Sequence, residues 1–167
     1  MKFNLVDKVE QLTPERIVTV KYVSLAEEYL ADHFPTFPVL PGVMMLESAT
    51  QSAAWLFHHR SGFSKSITVL KEARNVKYSK FVAPGNALRM EVEWVKSTDS
   101  GAIFKASGSV VDAVGKPASA VQMRLELACF NLGDKNPELA GLDDRLTQHN
   151  RRRWELLAIV VDNGLDG

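Results

Sequence analysis

The sequence predicts an α+β fold in which a curled antiparallel sheet wraps one long central helix, with a helical extension at the C-terminal end. Three observations carry this prediction. Only the stretch from residue 41 to about residue 59 is both apolar enough and long enough to be a buried helix. Downstream, residues 67–76, 87–96, 102–111 and 118–130 are runs rich in β-branched and aromatic side chains. Turn signals separate these four runs: Ala83-Pro84-Gly85-Asn86, Thr98-Asp99-Ser100-Gly101 and Val114-Gly115-Lys116-Pro117. A helix must bury its apolar face, and the sheet is the only surface large enough to receive it. Finally, a linker-like stretch begins just after the last run, and the chain is read as a domain of residues 1–131 and an extension of residues 132–167.

Taken in order, residues 5–12 read as a first strand or helical turn, and the break at Thr13-Pro14 precedes a strand signalled by Ile17, Val18, Val20, Tyr22 and Val23. Ser24 is placed to cap a short helix over residues 25–31, with Glu27 at the capping-box position and Tyr29 and Leu30 facing inward. Pro35, Pro38 and Pro41 then fix their own φ and push each preceding residue towards an extended conformation, so a rigid loop follows. Pro41 suits the first turn of the central helix. Ala49, Ala53 and Ala54 allow that helix to approach the sheet closely, and Gly62 lies near its end. In the extension, Gly133 to Pro137 read as a linker. Leu139, Leu142 and Leu146 follow at helical spacing, and Trp154, Leu157, Ala158 and Val161 come after a break, giving one or two amphipathic helices. Residues 156–161 also fit a short strand.

The loop and the helix start carry the chemistry. An imidazole such as His33 exchanges a proton near neutral pH, while desolvation favours the proton-bearing form of a carboxyl group set among Val, Met, Leu and Ala, as Glu47 is. That pair supplies a base and an acid. The first helical N–H groups, at Gly42 and Val43, have no intrahelical partner and can bind a developing oxyanion; Gly42 also lets a ligand oxygen approach the backbone. Gln51 lies four residues after Glu47 on the same helical face, placed to hydrogen-bond its carboxyl group or the substrate.

The string formed by His33, Phe34, Pro35, Pro38, Pro41, Gly42, Glu47 and Gln51 resembles the signature of the 3-hydroxyacyl-[acyl-carrier-protein] dehydratases, hotdog-fold lyases of fatty acid synthesis. Glu72-Ala73-Arg74 and Phe81-Val82-Ala83-Pro84-Gly85-Asn86 resemble the same family, and the likeness covers about residues 5–131. Thr36 stands where the family usually has glycine, and Asn86 where it commonly has aspartate. The glutamate acid resembles the general dehydratase branch rather than the isomerising one. The resemblance implies dehydration of a (3R)-3-hydroxyacyl thioester on acyl carrier protein to the trans-2-enoyl thioester, with no cofactor. It also implies His33 as base, the Gly42 N–H as oxyanion donor and Glu47 as acid, at sites shared between the chains of a homodimer or an assembly of dimers. Phe34, Met44 and Met45 are candidates to line an acyl tunnel. The alternatives are a hotdog thioesterase, in which a carboxylate activates water without the His33 loop, and a non-catalytic acyl-binding subunit.

Composition narrows the field further. With 46% hydrophobic and 24% charged residues the chain reads as globular, and its balance of 20 basic and 20 acidic residues leaves no nucleic-acid footprint. The run Arg151-Arg152-Arg153 reads as a solvated face or as a contact for an acidic carrier protein. The single cysteine, Cys129, reads as a small core residue and fits a reducing cytoplasm, and no stretch has the length or apolarity of a membrane span or signal core. His58, His59 and His149 have no recognisable metal-site spacing, so no metal is expected. Trp55, Trp94 and Trp154 are expected in the core. Neither a Gly-rich phosphate loop nor a Gly-x-Ser-x-Gly elbow occurs.

Overall fold

A computed structural model describes residues 3–34, 36–111 and 115–162; the side chains of Asp32 and of residues 158–162 are outside the description. The expectations for Pro35, for Val114 and for the side chains of Ala158 and Val161 therefore lie outside the described residues.

Two strands, Lys8–Thr13 (β1) and Arg16–Tyr22 (β2), pair as a hairpin across the turn that contains Pro14. A short helix, Tyr29–Asp32 (α1), leads into the proline loop, and the central helix Gly42–Arg60 (α2) follows. Four long strands come next: Ile67–Tyr78 (β3), Ala87–Thr98 (β4), Gly101–Val111 (β5) and Pro117–Phe130 (β6). All pairings are antiparallel in one six-stranded sheet of order β1-β2-β4-β5-β6-β3, which leaves β1 and β3 at its edges. The sheet curls around α2, which packs against β2, β3, β4, β5 and β6.

Small residues let the backbone of α2 come close to the sheet, since Ser48, Ala49, Ser52 and Ala53 are all buried. Both serine hydroxyls have partners. Ser48 Oγ donates to the Leu5 carbonyl at 2.9 Å, and Ser52 Oγ bonds both the Ser48 carbonyl and Thr19 Oγ1, each at 2.7 Å. The C-terminal end closes as its glycine predicts: Gly62 has φ +62°, and the Phe63 N–H donates to the His58 carbonyl at 2.8 Å. At the turn before β4, Gly85 has φ +86°, while the Asn86 N–H and side-chain amide both donate to the Ala83 carbonyl.

The helix before the proline loop is shorter than the sequence predicts. Ser24 caps only a turn, its Oγ accepting from the Ala26 N–H at 3.1 Å, and the capping box does not form. The Glu27 carboxylate instead lies 2.7 Å from the ammonium of Lys21, which also meets Asp7 at 3.3 Å. Burial alone would lower the Lys21 pKa, but these two carboxylates outweigh it and hold the ammonium above its usual range. Tyr29 and Leu30 face inward as expected.

The extension is one continuous helix, Ala140–Asp162 (α3), preceded by the 3-10 turns Leu132–Asp134 and Pro137–Leu139. No break separates its halves and no strand forms there. Asp143 anchors its first turn: its carboxylate accepts from the Leu132 and Gly133 N–H groups and from Ser66 Oγ. Burial alone would raise the Asp143 pKa, but these hydrogen bonds hold it below the usual carboxylate range. Further along, the Trp154 ring lies 5.7 Å from that of Trp55, and Leu157 joins the core. The arginine run is only partly solvated. Arg151 donates to the Gly62 carbonyl at 2.7 Å and lies over Phe63, and Arg153 donates to Asn4 Oδ1 at 2.9 Å and lies over Trp55. Burial pushes the Cys129 thiol up to about 12, which fits a core residue rather than a nucleophile. No described helix is long and apolar enough to cross a membrane.

Candidate active site

The loop that carries His33 is held at both ends. Phe34 has φ +50°, and the turn closes through the Phe37 N–H, which donates to the Phe34 carbonyl at 2.8 Å. Further on, the Leu40 N–H donates to the Val82 carbonyl at 2.8 Å, and Val39, Leu40 and Pro41 are buried. Phe34 is thus a left-handed residue of this loop despite its Cβ.

His33 and Gly42 share a cavity of about 300 Å³ with Phe34, Met45, Tyr78 and Phe81. The His33 ring lies 4.4 Å from that of Phe34, and Phe37 meets Phe81 edge-on at 5.6 Å. At the helix start, the N–H groups of Met44 and Met45 donate to the Pro41 carbonyl, whereas those of Gly42 and Val43 have no hydrogen bond among the described residues. Gly42 faces the Tyr78 ring so closely that a Cβ there would sit 3.1 Å from it. A free donor and an imidazole thus open onto one space. Val43 is exposed. Met44 packs against the core and lines neither cavity described here, so of the expected tunnel residues only Phe34 and Met45 reach this space.

Glu47 opens elsewhere. It is five residues beyond Gly42, which is about 140° around an α-helix and about 7.5 Å along it. The carboxyl group lines a second cavity, of about 350 Å³, between α2, the start of β3 and α3. There Gln51 holds it as expected, with Nε2 donating to Glu47 Oε1 at 3.0 Å. The amide's orientation is fixed by the N-terminal segment before β1: Nε2 also donates to the Phe3 carbonyl, and Oε1 accepts from the Leu5 N–H, each at 3.0 Å. Because Glu47 Oε1 is occupied as an acceptor, a proton on the carboxyl group belongs on Oε2. Within one chain the base and the acid therefore face different spaces.

Sequence reasoning did not single out Tyr78 and Phe81 in the first cavity or Trp55, His58, Asn150 and Arg153 in the second as site-lining residues. The family-like motif beginning at Phe81 is a signal for that residue; nothing local marks the others. His58 is 4% exposed, its Nδ1 has no hydrogen-bond partner, and its ring stacks on Phe63 at 5.4 Å. Burial pushes its pKa down from 6.5 to about 4. The folded ring thus binds fewer protons than the unfolded one across that interval, so stability is fully present above pH 6.5 and is lost as pH falls towards 4. The protein is expected to be about 2 kcal/mol less stable at about pH 5 than at about pH 7 on this account, and His58→Phe should remove that part of the difference. Urea unfolding of both proteins at the two pH values measures it. Among the described residues no group of three or more His, Cys, Asp or Glu gathers as metal ligands do.

Comparison with known proteins agrees with this architecture. The pattern of the family described as ApeI-like, ApeI dehydratase, matches residues 9–116. The chain belongs to the ApeI-like dehydratase family. Curated relatives named 3-hydroxyacyl-[acyl-carrier-protein] dehydratase FabZ support a dehydratase. That of Clostridium perfringens is 36% identical over 108 residues, covering 65% of this chain and 78% of the relative. That of Solibacter usitatus is 36% identical over 125 residues, covering 74% and 76%. Among solved structures, the dehydratase heterocomplex ApeI:P from Xenorhabdus doucetiae matches with a TM-score of 0.58 at 20% identity, covering 77% of this chain and 99% of that one. This likeness bears on the fold, a hotdog. The ApeI-like match contains His33, Gly42, Glu47 and Gln51 and ends before α3.

Proposed function

We propose that the protein removes water from (3R)-3-hydroxyacyl thioesters carried on acyl carrier protein, giving trans-2-enoyl thioesters for fatty acid or related lipid synthesis. The observation that carries this reading is the His33 imidazole opening onto the same cavity as the free N–H of Gly42. A thioester carbonyl acidifies the carbon beside it. His33 takes that proton, and the electron pair moves towards the carbonyl oxygen, where the Gly42 N–H stabilises the developing charge by about 3 kcal/mol. Glu47 then protonates the hydroxyl at C3, the C–O bond breaks and water leaves. No cofactor takes part.

The acid comes from a second copy of the chain. Glu47 points away from the His33 cavity, and β3 is a sheet edge of 12 residues to which a partner strand can add. In the resulting two-fold dimer each site takes its imidazole from one chain and its carboxyl group from the other.

Incubating the protein with 3-hydroxyacyl and enoyl pantetheine thioesters tests the reaction. Interconversion of the two with the thioester intact is the expected result. Release of free thiol without interconversion would replace this reading with a thioesterase.

A further inference from the structure

Gln51 is gripped by one short stretch of backbone. Its Nε2 donates to the Phe3 carbonyl and its Oε1 accepts from the Leu5 N–H, each at 3.0 Å, while Nε2 also donates to Glu47 Oε1. A backbone N–H only donates and a carbonyl only accepts, so these two partners permit one orientation of the amide. Turned over, the amide would present Oε1 to Glu47. The carboxyl group could then bond Gln51 only by giving it the proton that the leaving hydroxyl needs.

The gripping segment is anchored unevenly. Leu5 and Val6 are buried, and Ser48 Oγ donates to the Leu5 carbonyl at 2.9 Å. Phe3 and Asn4 are exposed. Apart from Gln51, the hydrogen-bond partner that reaches these two among the described residues comes from α3: Arg153 donates to Asn4 Oδ1 at 2.9 Å. The guanidinium carbon lies 5.6 Å from the centre of the Trp55 ring, on which Trp154 also packs. Arg153 lines the Glu47 cavity but makes no ion pair with Glu47 among the described residues. Both the segment and α3 lie outside residues 9–116, the part matched to the dehydratase family.

Resting on the dehydratase reading above, we propose that Arg153 is a positioning residue for the acid, which it reaches through Asn4, the Phe3–Leu5 backbone and Gln51. With Asn4 latched, the segment holds Gln51 in one orientation. Glu47 Oε1 stays an acceptor, and the proton stays on Oε2 for transfer. With the latch open, Phe3 and Asn4 leave the amide, which then samples both orientations. Only a fraction of molecules carries the proton where the hydroxyl can take it. That fraction scales turnover and leaves substrate binding alone.

The test measures kcat and KM for a 3-hydroxyacyl pantetheine thioester in the full-length protein and in Arg153→Ala and Asn4→Ala, each checked for folding by circular dichroism. Both variants are expected to lose about 10-fold in kcat with KM little changed. Asn4→Asp keeps an acceptor for the guanidinium and should restore kcat. Asn4→Ala leaves the Arg153 charge in place, so an effect confined to Arg153→Ala overturns the route through the segment. In a Glu47→Gln background there is no carboxyl proton to place, and Asn4→Ala should cost nothing further. An equal loss in both backgrounds shows a merely structural role and overturns the proposal. Hydrogen exchange of the Gln51 side-chain amide, followed by NMR, reads the latch without the reaction and should quicken about 10-fold in Asn4→Ala. Quickened exchange in a protein that turns over no 3-hydroxyacyl thioester upholds the latch and removes the reaction. Unchanged exchange in an active protein removes the latch and leaves the reaction.

Discussion

Glu47→Gln is expected to keep the fold and substrate binding while turnover falls about 10²- to 10⁴-fold. The substitution preserves shape, and a glutamine oxygen can still accept the hydrogen bond that Gln51 Nε2 now gives to Oε1. What disappears is the transferable proton on the other oxygen. Because that proton is needed only as the C–O bond breaks, the loss should appear in kcat with KM little changed. Steady-state kinetics beside a circular dichroism spectrum separate this from misfolding. Near-normal turnover by a folded variant would remove Glu47 from the mechanism.

Activity is also expected to return when two inactive proteins are mixed. His33→Ala chains and Glu47→Gln chains, allowed to exchange subunits, form mixed dimers in which one site carries both lesions and the other carries neither. Random exchange of equal amounts makes about half the dimers mixed, so recovery should approach roughly a quarter of the parent activity. If both residues serve one chain, every site keeps a lesion and the mixture stays inactive. Native mass spectrometry shows whether exchange has occurred. The expectation rests on the two cavities: no rearrangement of one α-helix brings a residue at the Gly42 face and one about 140° away to the same side.

The prolines explain why so much of this site was legible in sequence. Pro38 and Pro41 restrict the backbone before any tertiary contact forms, and Pro41-Gly42 marks where α2 begins, so the order of loop, free N–H groups, carboxyl group and amide was readable from spacing. The strands after Gly62 were legible for a similar reason, since their turn residues lie close to the observed boundaries. What sequence did not show depends on distant partners. Glu27 was assigned to a capping box and is instead drawn to Lys21 on β2. The division of His33 and Glu47 between two cavities is a matter of helical angle, which adjacency in sequence conceals. His58 looked inert because it had no metal-site spacing; its place in the Glu47 cavity appears only when Asn150 and Arg153 arrive from α3.

The ties that hold α3 also bear on how long the folded state lasts. They join Ser66 to Asp143, Gly62 to Arg151 and Asn4 to Arg153, across 77, 89 and 149 positions of the chain. Closing loops of that size is costly in entropy, whereas the β4–β5 and β5–β6 hairpins form between neighbours in sequence. Docking of α3 is accordingly expected to fall after the rate-limiting step of folding, and breaking it before the corresponding step of unfolding. Substitutions at these ties shorten the lifetime of the native protein while leaving its speed of folding nearly unaltered.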